Sequence, residues 1–246
     1  GIQRIEGDIV LDRSAFEVPA RDPGGFDGEP LRPYNATPDA LLVNFKSVLM
    51  HLVPDRAAQV ARVHVEPPLA GMQVPATVPL SAGECLDYRA ALRLDIQDPQ
   101  RWRFGGSYPA SCGERLWPLA HPDPARFAAR ALEGMWQQLG GQLQGSVREG
   151  VVPQGLRPVL ALESAPLAEV VRDINKFSNN VMAQQLFLTL SWQPQGVGRF
   201  EASRDLVMRW WRTRIGAEDL VLDNGSGLSR SERVTAMGLA RLLSQA

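Results

Sequence analysis

A change of periodicity near residue 150 limits what this chain can fold into more than any other feature. Before it, apolar and polar residues alternate: Ile5, Gly7, Ile9 and Leu11 stand against Arg4, Glu6, Asp8 and Asp12, and the run from Ala61 to Glu66 alternates again until Pro67-Pro68 stops it. A period of two places one face of a strand in a core and the other in water. From Ser164 onward the apolar residues recur at helical spacing. Residues 150–158, rich in Gly and Pro, mark the change. The expected class is α+β, mainly β over residues 1–157 with one helix near 123–139, and helical over 158–246.

Residues 20–40 are rich in Pro, Gly and Asp and read as a loop. Residues 41–45 and 48–53 are short apolar runs suited to a sheet interior, and residues 86–96 alternate as a further strand. Asp123 and Pro124 open a helix whose stripe is Phe127, Ala131, Met135 and Leu139, and Gly140-Gly141 closes it. Strands are expected over 143–149 and 159–163. Ser164 should cap a helix over 166–177, followed by helices over 181–191, 204–215 and 229–246. Ser229 with Glu232 forms the S-x-x-E pattern of a capping box at the start of the last one. A strand over 220–222 would lead into a tight turn at Gly225-Ser226-Gly227, which matches no phosphate-binding glycine pattern.

The net charge of -1, from 26 basic and 27 acidic residues, provides no general field for nucleic acid or an anionic membrane. A hydrophobic content of 44% is ample for packed cores. No run of about 18 apolar residues could span a bilayer, and Gly1-Ile2-Gln3-Arg4 does not read as a secretion signal. Cys85 and Cys112 with three scattered histidines make no zinc spacing, so no metal and no cofactor is expected. The cysteines are either two separate buried thiols or one bridge. His51, His64 and His121 lie outside any G-x-S-x-G or H-E-x-x-H pattern and read as structural. Arg89, Arg93, Arg101, Trp102 and Arg103 form a basic, aromatic neighbourhood that suits either a solvated strand face or contact with a polymer.

Ser178-Asn179-Asn180, within the run Asn175-Lys176-Phe177-Ser178-Asn179-Asn180-Val181-Met182, sets a hydroxyl and an amide side by side at a junction between two helices. Three such residues alone would read as a helix cap. The run Leu222-Asp223-Asn224-Gly225-Ser226-Gly227-Leu228-Ser229 follows at a fixed interval. Together the two runs resemble the penicillin-binding protein 4 type of D-alanyl-D-alanine carboxypeptidase and endopeptidase, which reads N-K-x-S-x-N, a helical stretch, then D-G-S-G-L-S and another helix. The opening from Gly1 to Asp12 is similar to the strand where that family's large insertion begins. Asn224 departs from the pattern as an extra residue in D-G-S-G. A larger departure is that neither S-x-x-K nor K-T-G can be written anywhere: Lys46 and Lys176 have Val43 and Asp173 three residues before them, and Ser47 and Phe177 after them. The resemblance therefore implies an internal fragment of a longer enzyme.

It also implies a mainly β set of inserted accessory domains, followed by the helical part of a β-lactamase/transpeptidase-like domain. Ser178 would relay a proton to the departing amine, and Asn180 would hold the peptide backbone of the substrate. Lys176 is either a solvated helix residue or an electrostatic contributor to substrate binding. The substrates implied are peptidoglycan stem peptides, β-lactams would inhibit the complete parent, and no nucleic acid is involved. A periplasmic location follows, and with it a Cys85–Cys112 disulfide. The chain by itself would be catalytically silent. It would expose Val181, Leu186, Leu190, Trp210 and Leu239 and so self-associate. The rival expectation is a peptidoglycan-binding scaffold that keeps this fold without the catalytic ends; finding S-x-x-K and K-T-G in the complete reading frame decides between the two.

Overall fold

The computed structural model describes residues 1–216 and 219–245. In chain order its strands and α-helices are β1 (Arg4–Ile5), β2 (Ile9–Leu11), β3 (Ser47–Asp55), β4 (Val60–Glu66), β5 (Thr77–Ser81), α1 (Tyr88–Leu92), β6 (Leu94–Asp95), β7 (Arg103–Phe104), β8 (Tyr108–Pro109), β9 (Arg115–Ala120), α2 (Phe127–Gln138), β10 (Gln142–Leu143), β11 (Val147–Glu149), α3 (Leu167–Phe177), α4 (Asn180–Gln195), α5 (Phe200–Arg214) and α6 (Ala236–Gln245). The chain divides into two compact units. One holds residues 1–11, 30–36 and 42–148, the other residues 12–29, 37–41 and 149 onward.

The first unit is built on a five-stranded sheet of order β8-β5-β4-β3-β9. β3, β4, β5 and β9 pair antiparallel, while β8 joins β5 parallel through only Leu80↔Tyr108 and Ser81↔Pro109. Alternation along β3 sends Val48, Met50 and Leu52 into a core shared with Leu92, Trp102, Tyr108, Phe127 and Ala131. His51 and His64 are direct cross-strand partners on the opposite face. Cys85 and Cys112 form a disulfide across 27 residues, close to the short β5–β8 edge.

Several expectations for this unit need correction. Residues 86–96 are not one strand: Asp87 accepts hydrogen bonds from the Arg89 and Ala90 amides, nucleating α1, and Arg93 in the left-handed region ends it. Residues 41–45 are not a strand either, because Asn44, Phe45 and Lys46 all have positive φ and form a tight turn into β3. The expected strand over 143–149 is two short pieces, β10 and β11. α2 starts at Phe127 rather than Asp123, and its buried face runs Phe127, Ala128, Ala131, Gly134. Met135 and Leu139, assigned from the sequence to the core stripe, are exposed. Gly134 explains the rotation, since a Cβ there would lie 2.3 Å from the Pro68 carbonyl oxygen, and the helix axis comes in close against that backbone.

His121 follows β9 and is buried between Trp102, stacked at 6.1 Å, and Phe127 at 5.7 Å. Its Nδ1 accepts the Asp123 amide at 3.1 Å, a bond the neutral ring can make. Burial lowers its pKa below the usual 6.5, and the Arg130 charge acts in the same direction; the Asp123 backbone and side chain and the Pro99 backbone oppose them more weakly. A folded-state pKa below the unfolded value means that the unfolded chain binds the extra proton first. The stability is therefore complete above about pH 6.5 and is lost as pH falls from there toward the lowered folded value. The urea midpoint of this unit should drop between pH 7.5 and pH 5, and His121→Phe should flatten that drop. Parallel pH profiles for the two proteins would contradict it.

In the second unit, Leu188 of α4 is fully buried beside Phe187 and Phe200, whose rings lie 6.4 Å apart, with Phe16, Val18 and Val207 packed around them. Ser191 Oγ accepts the Arg199 amide at 2.9 Å and the Ser203 hydroxyl at 2.8 Å, so the α4–α5 crossing has no idle buried hydroxyl. Residues 12–29 and 37–41 lie here through pairings distant in sequence. Phe16 bridges Gly198, Arg13 pairs with Asp39, and Asp39 exchanges two 2.8 Å backbone–side-chain bonds with Gln185. The division of the units after Arg148 also precedes the expected 157/158 boundary.

Three helical expectations differ in detail. Ser164 does not cap α3, whose N-cap is Pro166 with no side-chain cap bond. α6 begins at Ala236 rather than at 229, with the Gly238 amide donating to Thr235 Oγ1 at 3.0 Å; Ala246 lies outside the described residues. Residues 159–163 form no strand, and Val159, Leu160 and Leu162 are exposed, because no neighbouring strand among the described residues pairs with them. Of the five apolar residues expected on the surface, Leu190, Trp210 and Leu239 are exposed, Leu186 is half-buried, and Val181 is buried against the unit. Residues 220–222 contribute a single bridge, Val221↔Arg233.

Candidate functional site

Ser178 and Asn180 stand on either side of the break between α3 and α4. Ser178 is exposed and takes the left-handed conformation, φ 51° and ψ 47°, which ends α3. For a residue with a Cβ this is an uncommon conformation, and it deserves a functional question. Asn179 is the cap: its side chain accepts the Met182 amide at 3.0 Å and so starts α4. Capping by Asn179 leaves the Ser178 hydroxyl with no part in starting the helix. Asn180 is the first residue of α4 and is half-buried.

The Asn180 side chain joins the two sequence runs, its Nδ2 donating to the Ser226 carbonyl at 2.8 Å. That amide hydrogen therefore holds the 223–228 loop. Nδ2 keeps a second hydrogen, and the Oδ1 acceptor is directed away from the Ser226 carbonyl. The loop is braced by contacts that sequence reasoning did not find. Asn224, the extra residue in D-G-S-G, is buried; its Oδ1 accepts the Ser226 amide at 2.9 Å and its Nδ2 donates to the Leu228 carbonyl at 3.2 Å. Gly225 has φ +71° and sits where a Cβ would meet the Phe187 ring at 2.7 Å, so this position admits only glycine without a shift. Arg204 Nη2 donates to the Asp223 carbonyl at 3.0 Å.

The expected Ser229–Glu232 capping box is not made. Ser229 Oγ instead accepts the Ser231 amide at 3.1 Å, and Glu232 Oε1 accepts the amides of Asp223, Asn224 and Gly225 at 3.0, 3.2 and 3.4 Å. The S-x-x-E signal was present, but its acceptor reaches across the loop rather than back to a helix end. Lys176, in the last turn of α3, is exposed, with Nζ over the Phe177 ring at 5.6 Å. Among the described residues, no three His, Cys, Asp or Glu side chains converge as a metal site would require.

This arrangement offers an exposed hydroxyl and an oriented carboxamide on one helix junction, suited to passing a proton and holding a peptide. All 246 residues match the model of the D-Ala-D-Ala carboxypeptidase 3 (S13) family. The chain belongs to that family. It is 28% identical over 264 residues to a D-alanyl-D-alanine carboxypeptidase of Actinomadura sp. (strain R39), a match covering 100% of this chain and 47% of that protein. It is 23% identical over 248 residues to D-alanyl-D-alanine carboxypeptidase DacB of Haemophilus influenzae, covering 99% and 51%. The S13 chain thus spans about half the length of the curated relatives it matches. Its fold is that of penicillin binding protein 4 (dacB) from Haemophilus influenzae, with a TM-score of 0.72 at 21% identity over 100% of this chain and 55% of the other. A second crystal structure of that protein, complexed with a β-lactam, gives a TM-score of 0.65. Among the described residues of the S13 chain, no helix is long and apolar enough to cross a membrane.

Proposed function

We propose that the protein carrying this chain is a serine D-alanyl-D-alanine carboxypeptidase or endopeptidase, acting on peptidoglycan stem peptides outside the cytoplasm through an acyl-enzyme. The observation that carries this reading is the exposed Ser178 beside a half-buried Asn180 whose amide is fastened to the Ser226 carbonyl, in a chain of the S13 family. The unit with α3 to α6 is the helical part of the transpeptidase-like domain, and the β-rich unit is an inserted accessory domain. A serine deprotonated by the S-x-x-K lysine attacks the penultimate D-alanine carbonyl, and both groups come from other segments of the protein. Ser178 passes a proton to the departing amine and Asn180 holds the peptide backbone. Lys176 adds positive charge near the bound carboxylate of the substrate. β-Lactams, as mimics of the terminal dipeptide, acylate the same serine. These 246 residues alone do no chemistry.

Release of D-alanine from a stem-peptide analogue by the complete protein tests the assignment. Ser178→Ala should lower kcat by about 10²-fold or more, the usual scale for losing a positioned proton donor. Asn180→Ala should cost about 10²-fold in kcat/KM through misplacement of the peptide. Variants that keep activity within about twofold of the parent would remove Ser178 and Asn180 from the site.

A further inference from the structure

We infer that Glu232 is a positioning residue for Asn180, acting through the loop at residues 223–228. This rests on the reading above. Its basis is a chain of contacts within one unit. One carboxylate oxygen of Glu232 accepts three consecutive backbone amides, those of Asp223, Asn224 and Gly225. Three successive amides converge on one point only when the backbone curls, and here Gly225 supplies the curl with φ +71°. An anion at the centre of such a nest is held by charge-assisted bonds, stronger than those a neutral acceptor makes.

One residue further on, the loop presents the Ser226 carbonyl to Asn180 Nδ2 at 2.8 Å. The position of that carbonyl is fixed by the nest before it and by Asn224, which ties Ser226 and Leu228 into the same turn. The Phe187 ring against Gly225 keeps the loop from sliding toward α4. Without the Glu232 charge the three amides lose their common acceptor, the turn relaxes, and the Ser226 carbonyl moves. The Asn180 carboxamide can then rotate, and its Oδ1 no longer faces one direction. Glu232 thereby sets the orientation of the acceptor that Asn180 offers to a peptide N–H, while touching no substrate itself.

The test uses the complete protein and five forms: parent, Glu232→Gln, Glu232→Ala, Asn180→Ala and the Glu232→Gln/Asn180→Ala double variant. Glu232→Gln keeps the size and one acceptor but removes the charge. It should lower kcat for D-alanine release about tenfold, on the scale expected for misplacing a bound peptide by a fraction of an ångström, with KM changing less than twofold. Glu232→Ala should lower it further. In the Asn180→Ala background Glu232→Gln should have no additional effect, because residues acting through one another are non-additive. A purely structural Glu232 would give additive losses that track thermal stability, and that result overturns the inference. Amide hydrogen exchange supplies a readout independent of activity: Asp223, Asn224 and Gly225 should lose protection in Glu232→Ala. Unchanged protection there overturns the inference even if the protein proves not to be a peptidase. An inactive parent with lost protection would fail the enzymatic reading alone.

Discussion

Replacing Cys85 with Ser lowers the unfolding free energy of the β-rich unit by about 3.5 kcal/mol, the chain-entropy value for a loop of this size. The bridge spans 27 residues, and the loop it closes contains α1 and β6 to β8. The sheet edge beside it is weak by itself, since β8 meets β5 through two residue pairs. Side-chain bonds add to the closure, with Tyr108 Oη donating to the Gly113 carbonyl and Ser111 Oγ to the Gly83 carbonyl, both at 2.7 Å. Burial pushes the Tyr108 phenol up to about 12, so it stays a donor throughout the ordinary pH range. Cys85 is only half-buried, so Cys85→Ser leaves a small cavity and reports mainly the lost cross-link. Urea unfolding followed by the emission of Trp102 and Trp117 measures the loss. Equal midpoints for parent and variant, or two thiols alkylated in denatured, unreduced protein, would contradict the bridge.

The break between α3 and α4 was legible in the sequence because its determinants are local. Ser178, Asn179 and Asn180 occupy three successive positions, and the caps of both helices depend on backbone within one turn. The same holds for β3, a short apolar run whose Met50 and Leu52 lie in the core, and for β4, which alternates in the sequence. Errors arose where a distant contact decides. Glu232 looks like half of a capping box until the loop at 223–225 curls over its carboxylate. The face of α2 that is buried depends on Pro68 approaching Gly134. Val159, Leu160 and Leu162 have the composition of a strand, but a strand exists only with a partner to bond to. Residues 12–29, read as part of the β-rich region, lie with α4 and α5 because Phe16 meets Gly198 and Glu17 meets Arg199. Asn224 is the most instructive case. As a letter it is an interruption of D-G-S-G, and in the structure it is a buried brace of the loop that holds Asn180.

Labelling with a fluorescent penicillin gives the largest expected contrast, because acylation needs a nucleophile with an adjacent base and these 246 residues contain no S-x-x-K. In the proposed enzyme the acylated serine lies on another segment, and this chain contributes Ser178 and Asn180 to the wall of the site. The effect is therefore close to all or none rather than a graded loss. The complete protein should take up one penicilloyl group, mapped by peptide mass to a serine followed three residues later by lysine and lying on another segment than these 246 residues. The 246-residue chain, verified by intact mass, should take up none. A complete protein that fails to label, or stoichiometric labelling of the 246-residue chain alone, would contradict the assignment.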